Sequence, residues 1–107
     1  MRCNLRPLIV AALVLSPASA VAAGPGPVVH IANFTFNQAV LTVKAGTTVT
    51  FVNDDDIPHA VVADDKSFKS KVLDTGDRFT VNFAKPGQFG YFCSLHPHMT
   101  GKVIVRA

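Results

Sequence analysis

The sequence predicts an all-β domain, a Greek-key β-sandwich, that follows a short export signal. After the first 23 residues no segment shows sustained helical periodicity, and β-branched and aromatic residues recur in short runs. Turn residues separate these runs at regular intervals. Seven or so short strands in this arrangement are typical of an antiparallel sandwich, and 107 residues suffice for one small domain.

The N-terminus has the order of a secretory signal peptide. Arg2 and Arg6 form a basic start, residues 8–15 are apolar, and small residues follow. The alternative is a membrane anchor, but the apolar stretch is far shorter than the ~20 residues of a spanning helix. We therefore expect a periplasmic protein without a membrane span, cleaved after Ala20 or, preferably, after Ala23.

This layout divides the chain into a signal peptide at 1–23, a flexible lead-in at 24–29 and the folded domain at 30–107. Cleavage removes Cys3, so Cys93 becomes the only cysteine and no internal disulfide can form. Two of the ten basic residues also leave, which against seven acidic residues lowers the net charge from +3 to +1. No basic patch remains to suggest binding of nucleic acid.

The expected strands follow one another with clear breaks. They lie at 28–36, 39–43, 47–52, 60–63, 78–83, 88–93 and 102–106. Gly and Pro mark the breaks, as in Lys44-Ala45-Gly46 and Lys85-Pro86-Gly87. The segment 67–77 is compatible with either a short strand or a helical turn.

Near the C-terminus, the run YFCSLHPHM gathers three kinds of soft metal-binding side chain. Two residues separate Cys93 from His96, and two separate His96 from Met99, while His59 lies upstream after a proline. A thiolate, two imidazoles and a distant thioether are typical of an electron-transferring copper centre. We therefore predict one copper ion, cycling between Cu(I) and Cu(II), at these four residues.

Each of these side chains alone has a commoner structural role, on the surface for histidine and in the core for methionine or cysteine. Their joint occurrence favours a metal, and zinc, the alternative ion, rarely uses such a set. Pro97 is expected to stiffen the ligand loop, and Gly101 to let it turn back into the last strand. His30 and His98 are expected on the surface, His98 on the exposed rim.

The motif Cys-x2-His-x2-Met followed by Gly-Lys-Val, with an upstream Pro-His, resembles the cupredoxin family of type 1 blue copper proteins. The resemblance spans roughly Ile31 to Val105, and the short ligand loop is most similar to that of the amicyanins. The plastocyanins are also similar but have a longer spacing to the methionine. The resemblance implies that His59, Cys93 and His96 are equatorial ligands. It also implies that Met99 is axial, in a sandwich of about eight strands.

One position departs from the family pattern. Many members carry an asparagine after the first histidine, and its side chain ties the two ligand loops together. Here that position is Ala60, so Ser94 lacks this partner. The redox properties of the amicyanins, and their partner, a quinoprotein amine dehydrogenase, therefore do not transfer directly.

The resemblance implies a monomeric one-electron carrier between redox proteins, such as a dehydrogenase donor and a cytochrome-type acceptor, and not an enzyme. The electron port would be the exposed edge of His96, ringed by Ile57, Pro58, Pro97 and Met99. A copper-buffering or copper-delivery module is the alternative. A copper oxidase or reductase would need more paired histidines than the four histidines in the chain provide.

Overall fold

Eight strands form the regular structure of residues 26–107, the part of the chain that the computed structural model describes. They are β1 (Val28–Ala32), β2 (Thr35–Asn37), β3 (Val40–Lys44), β4 (Thr47–Asn53), β5 (Val62–Ala63), β6 (Arg78–Phe83), β7 (Gly87–Cys93) and β8 (His96–Arg106). The predicted all-β sandwich is confirmed. The predicted signal peptide lies outside the described residues, and within them no helix is long and apolar enough to span a membrane.

The strands form two four-stranded sheets, in the orders β2-β1-β4-β6 and β3-β8-β7-β5. The sheets are mixed rather than antiparallel throughout, because β1 pairs with β4, and β3 with β8, in parallel. In each parallel pair the chain crosses to the other sheet before it returns. Such crossovers allow neighbouring strands to run in the same direction.

The run at 28–36 forms two strands rather than one. β1 ends at Ala32, opposite Thr35 of β2, so the connection is a two-residue hairpin turn. Both turn residues, Asn33 and Phe34, have positive φ angles, of 54° and 57°. Type I′ hairpin turns require this conformation, but phenylalanine is an unusual residue there, so its hydrophobicity concealed the turn.

β1 begins at Val28, as the expected strand 28–36 does, so it includes the last two residues of the lead-in 24–29, and Val29 is fully buried. The segment 67–77 contains no helix. Its Lys69 forms a single bridge to Val62 of β5, and its Leu73 forms one to His59 in the loop that leads into β5. The open question about that segment is therefore answered in favour of short extended pairing.

The core lies between the two sheets, where every second residue of a strand points inward. Its aromatic centre is Tyr91, whose ring meets the rings of Phe36 and Phe51 edge-on at centroid distances of 4.8 and 5.2 Å. Cys93, two residues further along β7, faces the same core. Cys93, one of the predicted ligands, therefore lies at the end of β7 and in the hydrophobic core.

Gly101 does not form the turn expected of it. It lies within β8, opposite Tyr91 of β7, and its φ is not among the positive values. A Cβ atom at this position would overlap the ring and hydroxyl of Tyr91. Glycine is thus needed for the close approach of the tyrosine ring rather than for chain reversal.

Candidate metal centre

Two loops bring the predicted ligands together at one end of the sandwich. Cys93 ends β7 and pairs with His96 at the start of β8, so the ligand loop is a hairpin with a two-residue turn. His59 comes from the loop between β4, in one sheet, and β5, in the other. The Cys93 Sγ lies 3.7 Å from the Nδ1 atoms of both His59 and His96.

These distances fit a shared metal ion. Bonds of about 2.3 Å to sulfur and about 2.0 Å to nitrogen, at a trigonal angle near 120°, separate the two ligand atoms by roughly 3.7 Å. The donor atoms of His59, Cys93 and His96 all lie within 4.8 Å of one another. A thiolate with two imidazoles is a donor set that copper prefers to the oxygen-seeking metals.

The alternation of β8 separates Met99 from His98. Met99 shares the core-facing side of the strand with Val103 and Val105, and it is only 6% exposed. His98 lies on the opposite side and is exposed, at the position where a surface histidine was expected. Met99 therefore belongs to the same hydrophobic core as Cys93.

The donors differ in their access to solvent. His59 and Cys93 are fully buried, whereas His96 is partly exposed. Ile57 is partly buried, and Pro58 and Pro97 are exposed, as expected for residues around an exposed ligand edge. The expectation that Met99 joins this rim was wrong, because its side chain is turned into the core.

A buried asparagine braces the loop that carries His59. The Nδ2 of Asn53, at the end of β4, donates to the carbonyl oxygens of Ile57 at 2.8 Å and Leu73 at 2.9 Å. Its Oδ1 accepts the N–H of Asp55 at 2.9 Å. Because a fully satisfied buried amide permits little movement, Asn53 sets the course of the chain before His59.

The loop is also tied to its neighbour through main-chain bonds. The N–H of His59 donates to the carbonyl of Leu73 at 3.1 Å, and the N–H of Leu73 donates back at 2.7 Å. One residue further, the N–H of Ala60 donates to the Cys93 Sγ at 3.3 Å. This last bond links the two ligand loops and stabilises negative charge on the sulfur.

Asp55 orients the ring of His59. The Nε2 of His59 lies 2.8 Å from the Oδ2 of Asp55, while its Nδ1 faces Cys93. The N–H of Phe34, and to a smaller extent His59 and the N–H of Asn33, hold the pKa of Asp55 below its usual value. An ionised carboxylate only accepts hydrogen bonds, so Nε2 carries the hydrogen and the Nδ1 lone pair remains free for a metal.

The β1–β2 hairpin supplies a third contact that the sequence did not reveal. The ring of Phe34 stands edge-on to the rings of His59 and His96, with centroids 5.6 and 5.1 Å away. The Asp55 carboxylate accepts the N–H groups of Asn33 and Phe34 at 2.7 and 3.0 Å. In the sequence, Asp55 is one of three consecutive aspartates after an expected strand, and nothing local links it to Phe34.

His30 takes no part in this cluster. It lies on β1 with its side chain 53% exposed, and its Nδ1 is 2.6 Å from the Oδ2 of Asp54. Its surface position is as expected. This exposed polar contact contributes little to stability.

The sandwich and the Cys-His-His cluster define a small β-protein with a soft-metal centre. Residues 5–105 match the family described as cupredoxin-like domain, and the chain belongs to this family. Among curated proteins, it is 34% identical over 83 residues to amicyanin from Paracoccus versutus, covering 73% of this chain and 63% of the relative. It is 36% identical over 84 residues to chloroplastic plastocyanin from Tetradesmus obliquus, covering 66% of this chain and 58% of the relative.

Solved structures confirm the likeness in three dimensions. A purple cupredoxin from Nitrosopumilus maritimus superposes with a TM-score of 0.70 at 35% identity, covering 73% of this chain and 97% of that one. A reduced amicyanin variant superposes with a TM-score of 0.72 at 33% identity, covering 79% and 86%. The predicted membership of the cupredoxin family is confirmed. The chain nevertheless spans less than two thirds of the length of the Paracoccus versutus relative.

Proposed function

We propose that this chain is an exported one-electron carrier with a mononuclear type 1 copper centre. In this proposal His59, Cys93 and His96 are the equatorial ligands, and Met99 is the axial ligand. The observation that carries it is the position of the Cys93 sulfur, 3.7 Å from one nitrogen of each histidine. The copper would supply the exchangeable electron, and the residues would hold both of its oxidation states.

The surroundings of the donors support a carrier with little rearrangement between oxidation states. Asn53 and Asp55 restrain the His59 loop, and the Ala60 N–H restrains the sulfur. A ligand set held by its surroundings does not need to reorganise when one electron arrives or leaves. Rapid transfer without substrate turnover follows from such restraint.

The partly exposed His96 is the proposed route for the electron. Exposed apolar residues lie nearby, namely Phe34 in the β1–β2 hairpin turn, which is 52% exposed, and Leu95 in the ligand loop, which is 45% exposed. An apolar rim of this kind suits small interfaces with fast dissociation. We propose a monomer that exchanges electrons with redox proteins, a dehydrogenase as donor and a cytochrome-type protein as acceptor.

The first test is the absorption spectrum of the purified protein with one equivalent of Cu(II). A strong visible band from thiolate charge transfer is expected. Cys93→Ser should abolish this band and leave the β-sheet circular dichroism unchanged. His98→Ala, which alters a histidine outside the cluster, should retain the band. A colourless Cu(II) complex of the unaltered protein would refute the proposed centre.

Export is tested by isolating the mature protein from the periplasmic fraction of a Gram-negative host. N-terminal sequencing should begin at Gly24 if cleavage follows Ala23, or at Val21 if it follows Ala20. Retention of Met1 on protein confined to the cytoplasm would contradict export.

The second candidate function is the buffering or delivery of periplasmic copper. It is favoured by His98, an exposed histidine two residues after His96, whose imidazole could bind copper transiently during transfer. Rapid transfer of copper to an acceptor chelator, with slow or irreversible electrochemistry, would support delivery. Fast reversible reduction at constant copper occupancy would support the carrier.

A further inference from the structure

Phe34 occupies a backbone conformation that phenylalanine rarely adopts. Its φ is 57°, in the left-handed region, and it follows Asn33 in a two-residue hairpin turn. Asn-Gly is the favoured pair in such turns, because glycine adopts positive φ without steric cost. Strain of this kind persists where surrounding contacts maintain it and often marks a functional position.

Those contacts come from Asp55. Its Oδ1 accepts the N–H of Asn33, and its Oδ2 accepts both the N–H of Phe34 and the Nε2–H of His59. One carboxylate, with its side chain 14% exposed, therefore holds the hairpin and a predicted ligand at the same time. The position of the Phe34 ring and the orientation of His59 depend on the same group.

The ring of Phe34 lies where it contacts both histidines. Its centroid is 5.6 Å from that of His59 and 5.1 Å from that of His96, each at an interplanar angle of 88°. The ring covers part of His96, which is the only one of the four proposed ligands that is not buried. An apolar group here limits the contact of water with the metal centre.

We propose that Phe34 is a positioning residue of the metal centre, held by Asp55 against both histidines so that it shields His96 from water. The inference rests on the copper site proposed above. A centre of one thiolate and two neutral imidazoles carries a net charge of +1 with Cu(II) and none with Cu(I). An apolar cover disfavours the charged state and so raises the reduction potential.

The decisive variant is Phe34→Gly, which removes the ring and creates the favoured Asn-Gly turn. The metal-free protein should keep its fold, because glycine relieves the strained φ. Its reduction potential by voltammetry should fall, by ~59 mV if the Cu(II)/Cu(I) affinity ratio changes about tenfold. Phe34→Tyr keeps the ring and should keep the potential of the unaltered protein.

Gln38→Gly is the matched control. Gln38 is another non-glycine residue with positive φ, 60°, and lies after β2, outside the described contacts of the histidines. The same backbone change there should leave the potential and the visible band unaltered. A shift in Gln38→Gly equal to that in Phe34→Gly would attribute the effect to the introduction of glycine at a positive-φ position and overturn the role of the ring.

Asp55→Asn tests the carboxylate. Asparagine replaces one of the two carboxylate oxygens by an NH2 group, which cannot accept a hydrogen bond. Whichever way the amide is turned, it therefore loses the bond from Asn33 or the bonds from Phe34 and His59. In the metal-free protein, the nuclear Overhauser contacts between the rings of Phe34 and His96 should weaken. In the copper protein, release of copper to a chelator should accelerate, about tenfold for the loss of an outer-shell partner of this kind.

The outcomes separate the two proposals. If the unaltered protein gives no thiolate band, both the copper site and this inference fail. If the band is present but Phe34→Gly and the unaltered protein have equal potentials, only the role of Phe34 fails. Unchanged ring contacts and an unchanged release rate in Asp55→Asn would overturn the role of Asp55.

Discussion

The N–H of Ala60 points at the sulfur of Cys93 from the opposite ligand loop, 3.3 Å away. Family members commonly link the two loops through an asparagine side chain at this position. Here the main chain makes a link that does not depend on the side chain. The two loops therefore remain linked with alanine at position 60.

Ala60→Asn should add a side-chain bond towards Ser94 and slow the loss of copper. One such bond contributes on the order of 1 kcal/mol, equivalent to about fivefold in rate. Copper release to a chelator and the reduction potential measure the effect. Ala60→Leu, which adds similar volume without a polar group, is the control. Equal release rates in Ala60→Asn and the unaltered protein would contradict the prediction.

Asn53→Ala should destabilise the metal-free fold by roughly 3 kcal/mol, because three hydrogen bonds of the buried amide are lost. Urea unfolding monitored by circular dichroism measures the change. Asn82→Ala is the control, since Asn82 also makes two side-chain bonds, to Gly46 and Thr48, but on the exposed surface. A similar loss in both variants would show that the burial of Asn53 is not the cause.

Tyr91→Phe should stabilise the protein by about 1 kcal/mol, since the buried hydroxyl finds no hydrogen-bond partner among the described residues. Burial also raises the pKa of Tyr91. The folded state therefore retains this proton at a pH where the unfolded state releases it. Stability should fall as pH rises above about 10, the usual pKa of tyrosine.

The phenylalanine variant lacks this proton, so its advantage should widen above that pH. Urea unfolding at neutral and alkaline pH measures the difference. Tyr91 is the only tyrosine of the chain, so the phenolate absorption reports its ionisation directly. A constant difference between the two proteins across pH would count against the raised pKa.

Gly101→Ala should cost about 2 kcal/mol through its clash with the ring of Tyr91. In combination with Tyr91→Leu the cost should be smaller than the sum of the two single costs, because the clash is removed. Gly46→Ala serves as the control: Gly46 has a φ of 94° and open space around it, so its cost should add to that of Tyr91→Leu. Strict additivity for Gly101 would exclude the steric explanation.

Met99→Leu should preserve the visible thiolate band, because the sulfur of Cys93 and both histidines remain. The reduction potential should rise, since the oxidised ion loses a donor more than the reduced ion does. Voltammetry of the two proteins measures this shift. An unchanged potential would mean that the buried Met99 only packs against the core.

The sequence alone was sufficient for the fold class and for the cluster of donors. Both depend on local patterns: alternating apolar residues indicate strands, and the spacing of Cys93, His96 and Met99 brings three donors into one short segment. β6 was predicted with its observed boundaries, and β3, β4 and β7 to within one residue at each end. The hairpin at Asn33-Phe34 was missed because an apolar residue occupies a turn position.

The contacts around the donors were decided only by tertiary structure. Asp55 is 21 residues from Phe34, yet it accepts hydrogen bonds from the backbone N–H of Phe34 and from the Nε2–H of His59. Gly101 was assigned to a turn, whereas the pairing of β7 with β8 places it under the ring of Tyr91. Sequence patterns describe neighbours along one strand or loop. The partners here come from different strands and loops, so their meeting depends on how the two sheets pair and pack.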